Sequence, residues 1–198
     1  MTMLICCTRW LLVCSLILLF GCSAQNRDDS LSVSDDSNKT NDTILYQQAL
    51  THLNSNEPDK AEKIFQSLAK KNSAIAGVWV NLGIMQLKRG KIDESEKLFK
   101  TALDKDPAFP QALNLLGVIE IKKGNIRQAE KFYTQAIMQK DDYAIAHYNL
   151  ALLYDTYLQD IKQAIPHYQR YLDLTDHKDV ATTNWLEELK STLRKNRP

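Results

Sequence analysis

The sequence predicts an all-α solenoid of helix-turn-helix repeats, and three observations predict it. Residues 76–143 carry one pattern written twice, 34 residues apart: Leu82-Gly83 returns as Leu116-Gly117, Gly90 as Gly124, Phe99 as Tyr133 and Ala102 as Ala136. Self-similarity at a fixed period of this length marks a helical repeat. Gly83 and Gly117 fall in mid-helix, where glycine costs about 1 kcal/mol against alanine, so their recurrence calls for close approach of a second helix. Gly90 and Gly124 follow the last apolar residues of the first helix and suit a left-handed C-terminal cap.

Taken in order, the chain opens with a thin positive region containing Arg9, an apolar run over residues 10–20, and then Gly21 and Cys22. That is the plan of a secretory signal peptide, 1–21. The run falls short of the roughly 20 apolar residues that a transmembrane helix needs. All four cysteines, Cys6, Cys7, Cys14 and Cys22, lie here, so the remaining chain has no disulfide framework, thiolate metal site or cysteine nucleophile. Such a body suits an oxidising compartment. Residues 22–42 are rich in Ser, Asp and Asn, with Leu31 and Val33 as the larger apolar residues, and are expected to form a disordered tether.

The folded domain is expected over 43–198. Its first repeat, 43–75, is degenerate: Ala61, Phe65 and Leu68 fall under Ser95, Phe99 and Ala102, but Gln48-Ala49 replaces Leu-Gly and Asn56 replaces Gly90. A terminal unit packs on one side only, and such divergence is usual there. Repeats follow at 76–109 and 110–143, with Asp59/Glu62 and Asp93/Glu96 spaced as capping boxes. The fourth, 144–178, carries Leu150-Ala151, Tyr154, Ala164, Tyr168 and Tyr171. The last three are shifted by one residue, and the extra residue is expected in the turn around Leu158-Gln159. A cap over 179–195 shows Leu186, Leu189 and Leu193 at helical spacing, with Lys190, Arg194 and Lys195 complementing the helix dipole.

The second unit gives Trp79, Leu82-Gly83, Ser95, Phe99, Ala102 and Pro107; the third gives Leu113, Leu116-Gly117, Ala129, Tyr133 and Ala136, with Asp141 where proline is usual. This resembles the tetratricopeptide repeat family closely and implies a right-handed solenoid with a capping helix. Leu19-Phe20-Gly21-Cys22 resembles the bacterial lipobox, which implies cleavage before Cys22 and acylation of its sulfur, palmitate among the chains. Ser23 after it implies the outer membrane, facing the periplasm. Similar small lipoproteins act as pilotins or in outer-membrane assembly.

Composition narrows the chemistry. With 25 basic and 24 acidic residues, the chain lacks the charge excess of a nucleic-acid binder. His52, His147, His167 and His177 share no spacing with carboxylates that would build a zinc site or a triad, and no phosphate loop or nucleophile elbow is present. His147 stands at the Trp79 position and reads as core. No enzyme, cofactor, metal or small-molecule substrate is expected. The resemblance instead implies a concave groove made by the first helices: Val80, Ile84, Leu87 and Lys88; Asn114, Val118, Ile121 and Lys122; Tyr148, Leu152, Asp155 and Thr156. Val80, Ile84 and Val118 stand where co-chaperone relatives hold a terminal carboxylate, so that clamp is not implied. A mostly apolar strip is expected to take a protein partner of the envelope, unless winding closes it. Two rival roles are a regulator of cell-wall enzymes and an accessory of a proton-driven envelope complex.

Overall fold

Each repeat places a first helix of apolar, glycine-containing sequence against a second, amphipathic one. The computed structural model describes residues 30–195, with side chains from residue 39 onward. The described elements are α1 Ser30–Asn54, α2 Pro58–Lys70, α3 Ala76–Lys88, α4 Ile92–Lys105, α5 Pro110–Lys122, α6 Ile126–Gln139 and α7 Ala144–Leu152, then a π-helical turn Leu153–Tyr157, α8 Ile161–Leu174 and α9 Val180–Lys195. The first helices of repeats two, three and four start at Ala76, Pro110 and Ala144, on the expected boundaries. The architecture is all-α: helix-turn-helix repeats closed by a capping helix.

The chain divides after Asn38 into two units. Of the first, residues 30–38 are described as helical backbone. The second, from Lys39, contains the repeats and the cap. The expected tether therefore needs correction over 30–42, which belong to α1. Within the second unit Leu45, Tyr46, Leu50 and Leu53 pack beside Ala49, Phe65, Leu68, Val78 and Leu82. A turn fixed by such packing propagates at one hydrogen bond per added residue, without a new nucleation cost.

The core is a series of clusters shared by successive repeats. Val80, Phe99 and Ala102 join Ala112, Leu116 and Ile119. Tyr133, Leu150, Tyr168 and Leu172 join Leu186 and Leu189 of α9, which covers the open end of the last repeat. Phe99 is fully buried, which contributes about 1.5 to 3 kcal/mol.

Gly90 and Gly124 adopt φ of 76° and 79°. Lys91 N–H donates to Gln86 C=O at 3.0 Å and Gly90 N–H to Leu87 C=O at 3.0 Å, and the same pair of bonds recurs at Asn125 and Gly124. This is the Schellman arrangement. Asn56 holds the same place in the first repeat at φ 58°.

The expected capping boxes are not formed. α2 and α4 begin after Glu57 and Lys91 without a side-chain cap, and Asp59 and Asp93 lie inside the first turn, where they favour the positive helix end. Glu62 instead accepts two bonds from Arg89 at 2.5 and 2.6 Å. One period later, Glu96 pairs with Lys123. These carboxylates tie each second helix to the end of the next first helix.

The extra residue of repeat four is also placed differently from expectation. It is absorbed in the π-helical turn, where Leu158 N–H reaches Leu153 C=O at 3.1 Å and Asp160 N–H reaches Tyr154 C=O at 2.8 Å. Gln159, at φ 53°, then takes the left-handed position that glycine holds earlier. An inserted residue widens the helix locally and leaves the following turn in register.

Candidate functional site

The glycines orient the first helices. A Cβ on Gly83 would stand 2.4 Å from Cε1 of Phe99, and one on Gly117 would stand 2.4 Å from Cε1 of Tyr133. The glycine face of each first helix therefore looks at its own second helix. At 100° per residue, the residues two before and two after the glycine lie about 160° from it, and those five before and five after about 140°. Of these, Val78, Ala112, Ile119, Ala146 and Leu153 are buried, whereas Asn81 and Lys88 on α3, Leu115 and Lys122 on α5, and Asn149 and Thr156 on α7 and the turn after it form a stripe that is at least partly exposed. Ile84, Val118 and Leu152 border this stripe.

The residues expected in the groove separate accordingly. Val80 and Asn114 are buried, 2% and 3% exposed. Val80 packs against the third repeat, and Asn114 accepts a bond from Asn149 Nδ2 at 2.9 Å. Ile84 and Leu87 are half-buried against that same cluster, and Val118, Ile121 and Tyr148 against the next. Leu152 is exposed at 38%, with Ile145 beside it at 43%. Lys88, Lys122 and Thr156 are exposed. Asn81, Leu115 and Asn149, which the sequence reading did not single out, are half-buried on the same side of their helices. The glycines mark the face of each first helix that meets its own second helix.

Asp155 is occupied: one of its oxygens accepts from Trp185 Nε1 at 2.7 Å and from Tyr168 Oη at 3.2 Å, tying α8 and α9 to the π-helical turn. Burial first, and then the Asp155 charge, raise the Tyr168 phenol well above its ordinary value.

The buried histidine of repeat four has a packing role. His147 Nε2 lies 3.0 Å from Asp141 C=O, as Trp79 Nε1 lies 3.0 Å from Ser73 C=O. A carbonyl only accepts, so Nε2 carries the proton and Nδ1 is left to accept from His167 Nδ1 at 3.2 Å. Burial, then the neighbouring His147, hold His167 below the usual imidazole range. Tyr154 stacks on the His167 ring and donates to Glu130 at 2.9 Å; burial first and that carboxylate second push its phenol up to about 12. His52 pairs with Glu57 at 2.7 Å and His177 with Asp173 at 3.3 Å. Among the described residues, no group of three or more metal-binding side chains comes together, and no helix is long and apolar enough to cross a membrane. Cys22 lies outside the described residues.

Comparison with known proteins agrees with this fold. No curated protein sequence matches the chain. Its fold is similar to the first tetratricopeptide domain of Spaghetti (RPAP3) bound to the HSP90 peptide SRMEEVD, at 23% identity and a TM-score of 0.55, covering 61% of this chain and 94% of that one. It is also similar to pilF of Pseudomonas aeruginosa, at 15% identity and a TM-score of 0.66, covering 78% and 69%. A third likeness is to the Cut9 and Hcn1 assembly of the APC/C, at 19% and 0.64, covering 78% of this chain and 30% of that one. At these identities the likeness is one of fold. Two tetratricopeptide repeat models match residues 46–108 and 86–154, together more than half of the chain. With its period, its glycine and aromatic pairs and these matches, the chain belongs to the tetratricopeptide repeat family, whose members mediate protein–protein interaction.

Proposed function

We propose that this chain is a non-enzymatic adaptor or assembly lipoprotein of the bacterial envelope, anchored through Cys22 in the outer membrane and facing the periplasm. It binds a segment of a partner protein along the stripe of its first helices, in a pilus, secretion or outer-membrane assembly pathway. The observation that carries the binding role is the stripe itself: Ile84, Val118, Leu152, Lys88 and Lys122 recur on one face at the repeat period, in a family of interaction modules. The leader and Cys22 support the anchored location. Durable attachment needs more than one acyl chain, since a single chain binds a bilayer reversibly.

The test separates the two parts. Cys22→Ala is expected to move the protein from the detergent phase to the aqueous phase, and persistence in the detergent phase would argue against the anchor. Leu152→Glu, on an exposed side chain, is expected to remove co-purifying protein while the melting temperature holds. Unchanged co-purification would remove the stripe from the binding role.

A further inference from the structure

Repeat four departs from its predecessors at the end of its first helix. By the repeat period, Asp155 stands where repeats two and three have Leu87 and Ile121, aliphatic side chains half-buried against the core clusters. Asp155 is half-buried too, and a carboxylate at such a place loses hydration that other polar groups must replace. Here the replacements are neutral. Trp185 Nε1 and Tyr168 Oη donate to the same oxygen, and no cation pairs with Asp155 among the described residues.

Asp179, just before α9, is held in the same manner, by Tyr171 Oη at 3.1 Å and by the N–H and hydroxyl of Thr182 at 3.0 and 2.7 Å. Basic side chains nearby in the chain are engaged elsewhere: Lys162 beside Asp160, Arg170 with Asp141, Lys178 with Asp176 and Lys190 with Glu187. Rings join these carboxylates. Tyr148 meets Tyr168 edge-on, with centroids 5.9 Å apart, and lies tilted against Tyr171 at 5.0 Å. Three tyrosines and Trp185 therefore connect α7, α8 and α9 around two negative charges that no cation balances.

The surface beside them is open. Ile145, Leu152, Tyr157, Val180 and Trp185 are five of the seven large apolar side chains exposed among the described residues, which sets repeat four and the cap apart from the rest of the second unit. Ile145, Tyr148, Leu152 and Asp155 follow one another at spacings of three and four, so they share one face of α7 and the π-helical turn.

Trp185 and Tyr168 need an acceptor, and a neutral amide oxygen would serve them equally well. The charge of Asp155 is thus surplus to the tie between the turn, α8 and α9, and the carboxylate keeps lone pairs for further donors. Electron-rich ring faces attract cations, and arginine matches both features: its planar guanidinium stacks on a ring while its N–H fork donates to a carboxylate.

Resting on the reading of this chain as a protein-binding module, we propose that the corner between the π-helical turn, α8 and α9 takes an arginine side chain of a partner protein, its guanidinium donating to Asp155 and stacking on Trp185, with an apolar residue of the partner over Leu152 and Ile145.

The probe is a phage-displayed library of random twelve-residue peptides, selected on the immobilised full-length protein. Selected peptides are expected to share an arginine with an apolar residue close by, and to bind roughly tenfold more weakly when synthesised with citrulline, the neutral isostere, in its place. A wild-type protein that binds both forms alike would overturn the proposal without any substitution. Asp155→Asn, which keeps an acceptor for Trp185, is expected to hold the melting temperature and to weaken the arginine peptides by the same factor. On that variant the arginine and citrulline forms should bind alike, a coupling that a purely structural Asp155 would not produce. A citrulline penalty unchanged on Asp155→Asn would overturn the assignment to this corner. Peptides without arginine that are lost with Leu152→Glu, yet bind Asp155→Asn as well as the wild type, would overturn the arginine site and leave the stripe reading standing. Peptides indifferent to both substitutions would overturn this inference and the stripe reading together.

Discussion

Gly117 and Tyr133 meet so closely that a Cβ on the glycine would lie 2.4 Å from Cε1 of the ring and 2.6 Å from Cδ1. The contact closes α5 against α6 and fixes which face of α5 is turned away from α6. Gly117→Leu is expected to lower stability by about 1 to 3 kcal/mol through overpacking. Thermal unfolding followed by circular dichroism measures it, and an unchanged melting temperature would contradict the register of the repeat. In repeat four Ala151 holds the equivalent place, fully buried, with Tyr168 as the aromatic. The reverse change, Ala151→Gly, is expected to cost about 1 kcal/mol from helix propensity alone.

The histidine pair makes repeat four sensitive to acid. His167 is held below its ordinary value by burial and by His147, so the folded protein resists taking up a proton that the unfolded chain accepts near pH 6.5. Stability is therefore expected to fall as pH drops below about 6.5, until the folded-state value is reached. The groups around the pair are Asp141, whose carboxylate accepts from Arg170 at 2.5 Å, and Tyr154 with Glu130. Melting temperatures measured between pH 7.5 and 5.5 should decline in the wild type and decline less in His167→Leu. Equal slopes would contradict the assignment.

The carboxylate ladder acts in a lower range. Arg89 holds Glu62 below the usual carboxylate range, and Lys123, then Lys100, do the same for Glu96. Their contribution is present above about pH 4.5 and is lost as pH falls through the depressed folded values. Lys123→Met is expected to change stability by less than about 1 kcal/mol at neutral pH, the scale of a surface pair. A much larger loss by denaturant titration would mean that the ladder, rather than the apolar clusters, holds the repeats together.

Much of this was legible in the residues. The period placed helix starts at Ala76, Pro110 and Ala144 because Leu-Gly, the capping glycine and the aromatic are each fixed by a steric demand that few residues meet. The capping boxes at Asp59/Glu62 and Asp93/Glu96 were misread because a carboxylate three residues into a helix can serve the next repeat as well as its own N-terminus, and only the stacking distinguishes these. The insertion in repeat four was visible as a one-residue shift, but whether a turn or a π-helical turn absorbs it depends on packing around Leu153 and Tyr154. Val80 and Asn114 looked like groove residues on family position, whereas the helical wheel drawn from Gly83 and Gly117 turns them toward the neighbouring repeat. Composition suggested a tether through residue 42, whereas α1 begins at Ser30.

The binding role is tested most directly by photocrosslinking in cells from Ile84 and Leu152 on the stripe, with Lys100 on α4 as the control. One protein captured from both stripe positions and absent from the Lys100 control is the expected result, and its identity names the pathway. Capture from Lys100 alone, or equal capture from all three positions in a normally folded protein, would contradict a partner seated on the first helices.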